Sequence, residues 1–90
     1  MSYELEFKKS ALKEWKKLDS SIQKQFKAKL EKRLIQPRVE ADRLRGGVGY
    51  KIKLRSSGYR LVYTVHDDRV VVEVVAIGRR DSIYDRISRN

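Results

Sequence analysis

The sequence predicts an α+β domain with a small, mostly antiparallel four-stranded sheet in the order β-α-α-β-β-β. An N-terminal helical hairpin is expected on one face of the sheet, with a short C-terminal helix at the end of the chain. Two patterns predict this fold: apolar residues recur at helical spacing between residues 10 and 35, and they alternate or run continuously in the segments on either side. Residues 1–90 are expected to form one domain, and the opposite face of the sheet is expected to be partly open.

Two short helices are predicted after the first strand. Ser10 is expected to cap the first helix, and Ser20 with Gln23 has the spacing of a capping box for a second helix that ends at residue 34 or 35. Pro37 ends this helix, because its ring cannot continue the hydrogen-bond ladder. Most lysines of the two helices lie off the apolar stripes, so we interpret them as a solvated face.

Four segments of the chain have the patterns of strands. Residues 3–7, 50–55 and 59–65 alternate between apolar and polar side chains, which is typical of half-buried strands. Residues 69–77 are apolar on both faces, as expected of an interior strand. Residues 67–68 are expected to form a two-residue turn before this last strand.

The segment from residue 50 to residue 60 separates into an apolar face and a cationic face by strand periodicity. Residues 56–58 read as a turn. An antiparallel pairing that matches the apolar sets on both sides of the turn needs a loop of two or four residues. That register brings Arg60 beside Lys53 and Arg55. The cationic face then consists of Lys51, Lys53, Arg55 and Arg60.

This cationic face has no acidic residue near it in the sequence, since no Asp or Glu occurs between Asp42 and Asp67. Like charges opposite one another destabilise a sheet, so an anionic ligand is expected there. The whole chain has 22 Lys+Arg against 12 Asp+Glu, a formal net charge of +10 and a pI of about 10.1. Such a charge favours nucleic acid or an acidic protein as partner, although solubility alone is the alternative.

Several classes of site and location are excluded or disfavoured. The chain has no cysteine, which excludes disulfides and thiolate metal sites, and the carboxylates are too scattered to predict a metal. Its single histidine, His66, reads as a polar residue beside a turn. The glycines of residues 46–49 are not followed by a helix, as a phosphate-binding loop would be. We expect no cofactor, and the absence of a signal peptide or long apolar run predicts a soluble, cytoplasmic protein without membrane contact.

Several segments together closely resemble the RelE family of bacterial and archaeal toxins, which belongs to the RelE/ParE superfamily. The resemblance covers nearly the whole chain and is most specific in the hairpin. It rests on Ala11-Leu12-Lys13-Glu14-Trp15, Leu44-Arg45-Gly46, the stretch from Tyr50 to Tyr63, Ile77-Gly78-Arg79-Arg80, and Tyr84.

The resemblance implies the toxin of a type II toxin–antitoxin system. The implied activity is that of a ribosome-dependent endoribonuclease that cleaves mRNA in the ribosomal A site. The lack of a metal-ligand cluster and of an activated Ser, Cys or His predicts metal-independent cleavage by attack of the substrate's own 2′-hydroxyl. The implied partners are mRNA, the 70S ribosome with its ribosomal RNA, and an acidic RelB-type antitoxin. The toxin–antitoxin complex is expected to bind operator DNA through the antitoxin.

The resemblance also implies which residues form the active site. The family's two lysines fall on Lys51 and Lys53, its strand arginine on Arg60 and its C-terminal tyrosine on Tyr84. Its second arginine is assigned by spacing to Arg80, although Arg79 is adjacent, and the interval before the tyrosine is shorter than in the family pattern. The residues expected to contact RNA are Arg43, Arg45, Arg55 and Arg79.

The chemistry of these residue types agrees with RNA cleavage. A lysine crowded by other cations loses some of its preference for the charged form, so Lys53 can act as a general base. Arg80 is by its own chemistry a charge stabiliser, whereas the resemblance makes it the acid. The alternatives are phosphate binding without catalysis by the lysines, an ion pair of Arg60 with Glu73, and a core position for Tyr84. For the whole chain, the alternatives are a ParE-like gyrase inhibitor and a non-catalytic ribosome- or RNA-binding module.

Overall fold

The computed structural model describes residues 2–44, 49–80 and 82–83. It contains four strands, two α-helices and a 3-10 turn over Glu40–Asp42 in the described part of the chain. The strands and helices are β1 (Glu4–Phe7), α1 (Lys9–Lys17), α2 (Ser20–Ile35), β2 (Tyr50–Lys53), β3 (Tyr59–His66) and β4 (Val71–Arg79). This order confirms the predicted α+β fold.

The sheet has the strand order β1-β4-β3-β2. The two hairpin pairs, β2 with β3 and β3 with β4, are antiparallel, whereas β1 pairs with β4 in parallel. Strand β4 therefore lies in the interior, which explains why its sequence is apolar on both faces. No helix within the described ranges is both long enough and apolar enough to cross a lipid bilayer.

Both helices begin close to the predicted positions, but the predicted caps are wrong. Lys8 precedes α1 and Asp19 precedes α2 as cap residues, and neither makes a side-chain capping hydrogen bond. Ser20 is already helical, and Gln23 donates instead to the Trp15 carbonyl at 2.7 Å. The side chain of Gln23 thus joins the two helices rather than closing a capping box.

The main hydrophobic core lies between the helices and one face of the sheet. Burial of such side chains stabilises the fold by about 1.5–3 kcal/mol each. Phe7, Trp15 and Phe26 form a row of tilted aromatic rings, with ring centroids 5.2 and 6.4 Å apart. The buried residues of this core include Ala11, Phe26, Leu30, Ile52, Leu61, Tyr63, Val72, Val74 and Ile77.

The other face of the sheet carries a smaller apolar cluster. Val62, Ala76 and Ile83 are buried there together, with Leu44 and Val75 packed against them. The predicted C-terminal helix begins here, because the backbone is helical at Arg80 and again at residues 82–83. Its continuation lies outside the described residues.

The connection between β3 and β4 differs from the predicted two-residue turn. It spans residues 67–70, and Val70 has a φ of 53°, which is unfavourable for a β-branched residue. Further along, Val62 pairs with Ala76 and Tyr63 with Val74, so Val75 is an extra residue in β4. This bulge lets β4 turn both Val74 and Ile77 toward the main core.

A buried polar network around Tyr63 joins α2, the following loop and the β2–β3 hairpin. The Tyr63 hydroxyl donates to the Pro37 carbonyl at 2.6 Å and accepts from Arg33 Nη1 at 2.9 Å. The other Arg33 nitrogen, Nη2, donates to Asp42 Oδ2 at 2.6 Å. Arg33 Nη1 also lies 3.4 Å from the Lys51 carbonyl. One guanidinium therefore holds three separate segments of the chain together.

The Tyr63→Phe variant should be less stable by about 1–3 kcal/mol, because the Pro37 carbonyl and the Arg33 guanidinium each lose a buried partner. Urea unfolding measures this difference. Tyr50→Phe is the matched control: Tyr50 stacks on Tyr63 with ring centroids 5.7 Å apart, and the described residues offer its hydroxyl no hydrogen bond. Equal losses in the two variants would contradict the role of the network.

The same network predicts a pH dependence of stability. Burial raises the pKa of the Tyr63 phenol, and the neighbouring Arg33 guanidinium opposes part of that rise. A pKa raised in the folded state gives stability that is complete below about pH 10 and is lost as the pH rises through the folded value. The stability difference between wild type and Tyr63→Phe should therefore shrink above pH 10. A difference that stays constant in urea titrations up to about pH 11.5, roughly one and a half units above the ordinary tyrosine pKa, would refute the assignment.

Candidate active site

The predicted register of the β2–β3 hairpin is present in the structure. Tyr50 pairs with Tyr63 and Lys53 with Arg60, and the Leu54 N–H donates to the Tyr59 carbonyl at 2.9 Å. The loop closed by Leu54 and Tyr59 therefore has four residues, 55–58, which is one of the two predicted lengths. Ile52 faces the main core, whereas Lys51, Lys53 and Arg60 lie on the other face of the sheet. The structure thus brings the three predicted strand cations together.

A concave site of about 360 Å³ lies at the end of this hairpin. Four cationic residues line it, and none of the described residues that line it is acidic. Uncharged parts of the turn complete the wall. The lining consists of Lys53, Leu54, Arg55, Gly58, Tyr59, Arg60 and Arg80.

The hairpin turn forms one wall of the concave site and also anchors the end of β4. Gly58 has a φ of +77°, a left-handed conformation that glycine adopts without steric cost. Its N–H donates to the Leu54 carbonyl at 2.9 Å, and its carbonyl accepts from the Arg80 N–H at 3.2 Å. The turn therefore holds Arg80 beside the strand cations, although the two are far apart in sequence.

The two arginines that follow Gly78 have different surroundings. Arg80 lines the concave site, whereas the Arg79 guanidinium lies over the Tyr59 ring, 5.1 Å from its centroid. Arg79 is not among the lining residues. The geometry therefore agrees with assigning the site arginine to Arg80 rather than to Arg79.

The other predicted residues are distributed as follows. Lys51 lies on the cationic face opposite Val62, outside the concave site, and Arg55 lies within it. Arg43 is exposed in the loop after α2, with Nη1 3.7 Å from Glu40 Oε2. Arg45 and Tyr84 lie outside the described residues.

The alternative ion pair between Arg60 and Glu73 does not fit the register of β3 with β4. Arg60 lies opposite Gly78, whereas Glu73 lies opposite Thr64 on the same strand pair. Glu73 Oε1 is instead 3.2 Å from Nε2 of His66. The acidic residue of β4 therefore belongs to the far end of this sheet face.

The histidine of this chain is not arranged as a catalytic base. Its Nε2 atom is 2.9 Å from Thr64 Oγ1 and 3.2 Å from the Glu73 carboxylate. A nucleophile–histidine–carboxylate relay uses the two different ring nitrogens, whereas both contacts here fall on one. Across the described ranges, moreover, no three His, Asp or Glu side chains are grouped so that they could hold a metal ion.

Sequence analysis missed the part that Tyr59 plays at this site. Alternation within residues 59–65 places Tyr59 among the apolar side chains of β3, and it does pack against the main core. It also lines the concave site and carries the Arg79 guanidinium. The available signal was its position between a turn glycine and a site arginine.

The arrangement can bind and stabilise a highly charged phosphate group. Guanidinium groups donate paired hydrogen bonds to phosphate oxygens, and a lysine beside them can hold or accept a proton. Such a site can neutralise the extra charge of a five-coordinate phosphorus transition state. Cleavage of a phosphodiester is therefore within the chemistry of these side chains.

Comparison with known proteins agrees with this geometry. The family model for the ParE toxin of the type II toxin–antitoxin system matches residues 5–84. The chain is 56% identical over 82 residues to the mRNA interferase toxin RelE of Escherichia coli K12, covering 90% of this chain and 86% of that protein. The fold and the site therefore define a toxin of the RelE/ParE superfamily.

Solved structures give the same result. The toxin in the intact E. coli RelBE toxin–antitoxin complex aligns with a TM-score of 0.84 and 56% identity, covering 87% of this chain and 96% of that one. An arginine-to-alanine double mutant of E. coli RelE in the free state aligns with a TM-score of 0.88 and 51% identity, covering 99% and 97%. The chain belongs to the RelE family.

The concave site should bind small polyphosphate anions. Inorganic pyrophosphate at ten times its dissociation constant should stabilise the fold by about 1.4 kcal/mol, measured as a shift of the thermal midpoint against sodium chloride of equal ionic strength. Arg80→Ala should reduce the shift. Arg69→Ala is the charge-matched control, because Arg69 lies 3.6 Å from Glu6 and does not line the site. Equal reductions in both variants would mean that binding depends only on net charge.

Proposed function

We propose that this protein is the toxin of a type II toxin–antitoxin system and a ribosome-dependent endoribonuclease that cleaves mRNA in the ribosomal A site, inhibiting translation. One observation carries the proposal: Lys53, Arg60 and Arg80 converge with Arg55 on one concave site. The similarity to E. coli RelE, an mRNA interferase toxin by name, supports the same reaction.

The substrate's own 2′-hydroxyl is the nucleophile in the proposed reaction. Its oxygen attacks the adjacent phosphorus while a base removes its proton, and the bond from phosphorus to the 5′-oxygen breaks. The leaving 5′-oxygen takes up one proton, which replaces the proton that the base removed from the 2′-hydroxyl. The products are a 2′,3′-cyclic phosphate and a 5′-hydroxyl end, so no water is consumed. This chemistry suits a chain with many cations, no cysteine and one histidine engaged elsewhere.

The proposed roles follow from the position and type of each residue. Lys53 is the general base, since it lies inside the concave site and can accept a proton. Arg60 and Arg80 stabilise the transition-state charge, and Lys51 extends the cationic face toward the neighbouring phosphate. Tyr84 is proposed from the family resemblance to stack on a base.

The composition of the site supports dependence on the ribosome. Its lining offers charge, whereas reading a base needs hydrogen-bond donors and acceptors placed against its edge. Cations alone attract the backbone without fixing which phosphodiester lies in line for attack. In our proposal the ribosome holds the mRNA codon in position, and the toxin supplies the catalytic groups.

The net charge supports the proposed partners. A domain of charge +10 is attracted to ribosomal RNA in the cytoplasm and needs an acidic protein to neutralise it. The proposed inhibitor is an acidic RelB-type antitoxin that covers or deforms the cationic face, and the complex binds operator DNA through the antitoxin. The structure of the E. coli RelBE complex supports this kind of partner.

The test uses purified protein and ribosomes programmed with a defined mRNA. Primer extension should reveal cleavage within the A-site codon and none in the same mRNA without ribosomes. A 2′-deoxy nucleotide at the cut position should abolish cleavage. Cleavage of the unmodified mRNA should continue in the presence of a chelator at concentrations that leave ribosomes intact. Gyrase supercoiling assays should show no inhibition. Inhibited gyrase with uncut mRNA would instead support the ParE-like alternative.

Lys53→Ala should lower the single-turnover cleavage rate by roughly 10²- to 10⁴-fold, the usual loss on removing acid–base catalysis, with little change in ribosome affinity. Lys53→Arg should not restore the rate, because a guanidinium keeps the charge but cannot give up its proton. Arg69→Ala serves as the control for loss of one positive charge. Near-normal cleavage by Lys53→Arg would show that Lys53 supplies charge and not proton transfer.

A further inference from the structure

Arg79, the last residue of β4, and Arg80, which follows the strand, have different surroundings. Tyr59 and Arg79 are paired across β3 and β4, and the Arg79 guanidinium lies over the Tyr59 ring at 5.1 Å from its centroid. Side chains paired across two strands share a face of the sheet, so Arg79 lies on the face of Tyr59, which packs against the main core. Arg80 instead lines the concave site with Arg60. Arg79 is therefore directed away from the cationic face.

The ring contact lies next to the backbone link that locates Arg80. The Arg80 N–H donates to the Gly58 carbonyl at 3.2 Å, just before Tyr59 in the chain. The Tyr59 N–H is in turn held by Ser57 Oγ at 3.3 Å. Because Arg79 is the last residue of β4, its stacking on Tyr59 reinforces the point where the strand passes into the segment that carries Arg80.

We propose that Arg79 is a positioning residue: by stacking on Tyr59 it holds the end of β4 against the hairpin turn, so that Arg80 reaches the phosphate site. The inference rests on the proposed nuclease function. It replaces the interpretation of Arg79 as an RNA contact. A cation over an aromatic face is attracted to the ring, and that contact uses the guanidinium surface that would otherwise face a ligand.

The effect of losing this contact is expected in the chemical step. A displacement of about 1 Å in a catalytic group can reduce a rate by roughly 10²-fold. Arg79→Ala should therefore lower the single-turnover rate by about 10- to 100-fold and leave ribosome affinity within about threefold of wild type. Arg69→Ala, an equal change in charge outside the site, should leave the rate unchanged.

The salt dependence of ribosome binding distinguishes positioning from phosphate contact. Each lost phosphate contact reduces the slope of log affinity against log salt by about 0.7 to 0.9. A positioning role predicts the wild-type slope for Arg79→Ala. A reduced slope with weakened affinity, or an unchanged cleavage rate, would overturn the proposal.

Variants of Tyr59 test the partner in the contact. Tyr59→Phe keeps the ring, so hydrogen exchange of the Arg80 amide should match wild type, whereas Tyr59→Leu should match Arg79→Ala in exchange and in cleavage rate. The double variant Arg79→Ala/Tyr59→Leu should cleave no more slowly than either single variant, because both changes remove the same contact. If the two reductions in cleavage rate multiplied in the double variant, the proposal would be overturned. Thermal unfolding identifies any variant that fails to fold.

A measurement without ribosomes separates this inference from the proposed function. The Arg80 amide hydrogen should exchange with solvent faster in Arg79→Ala than in wild type, whereas an amide in the middle of β3, such as that of Leu61, should not change. If wild type cleaves no mRNA but this difference is seen, the proposed function fails and the positioning contact stands. Unchanged exchange at Arg80 would overturn the positioning role, whatever the activity.

Discussion

The core and the candidate active site both depend on the register in which β2 pairs with β3. With Lys53 opposite Arg60, Ile52 and Leu61 face the helices, and the cations gather on the other face. A slip of one residue would turn lysines into the core and apolar side chains outward. The repulsion between two cations on facing strands is thus offset by burial of their apolar neighbours, and the charge cluster is a consequence of a well-packed core.

Arg33 extends this constraint to the helical layer. Strand β2 is at the edge of the sheet, where backbone carbonyls lack a neighbouring strand. The Arg33 guanidinium occupies that position beside the Lys51 carbonyl while bonding to Tyr63 and Asp42. Burial alone would lower the pKa of Arg33, but the hydrogen bonds to Tyr63 and Asp42 raise it, so the group stays charged. A partly buried cation therefore supports the strand that carries two cations of the cationic face.

Local patterns predicted much of this molecule. Alternation between residues 50 and 65 was sufficient to predict the hairpin register, because side-chain direction in a strand depends only on position. The apolar run in β4 similarly predicted an interior strand. The assignment of the site arginine to Arg80 rested on spacing within the family resemblance, whereas the residues alone left both Arg79 and Arg80 as candidates.

Features that join distant segments could not be predicted in this way. The network of Arg33, Asp42 and Tyr63 connects a helix, a loop and a strand, and no periodicity relates them. The Val75 bulge has no glycine to signal it, and the Tyr59–Arg79 contact needs the β3–β4 register. Lys8 is an unusual cap for α1, and Asp19, a favoured cap residue, makes no side-chain capping bond to α2, so residue preference alone did not locate the caps.

The parallel pairing of β1 with β4 affects when the sheet can form during synthesis of the protein. Strand β4 lies in the interior of the sheet and pairs with β1, yet it is the last of the four strands to leave the translating ribosome. Before then, neither β1 nor the β2–β3 hairpin can join the complete sheet, because both pair with β4. A nascent chain therefore carries its strand cations without Arg80 beside them. The cell that makes this molecule is exposed to an assembled site only after β4 and Arg80 have been synthesised.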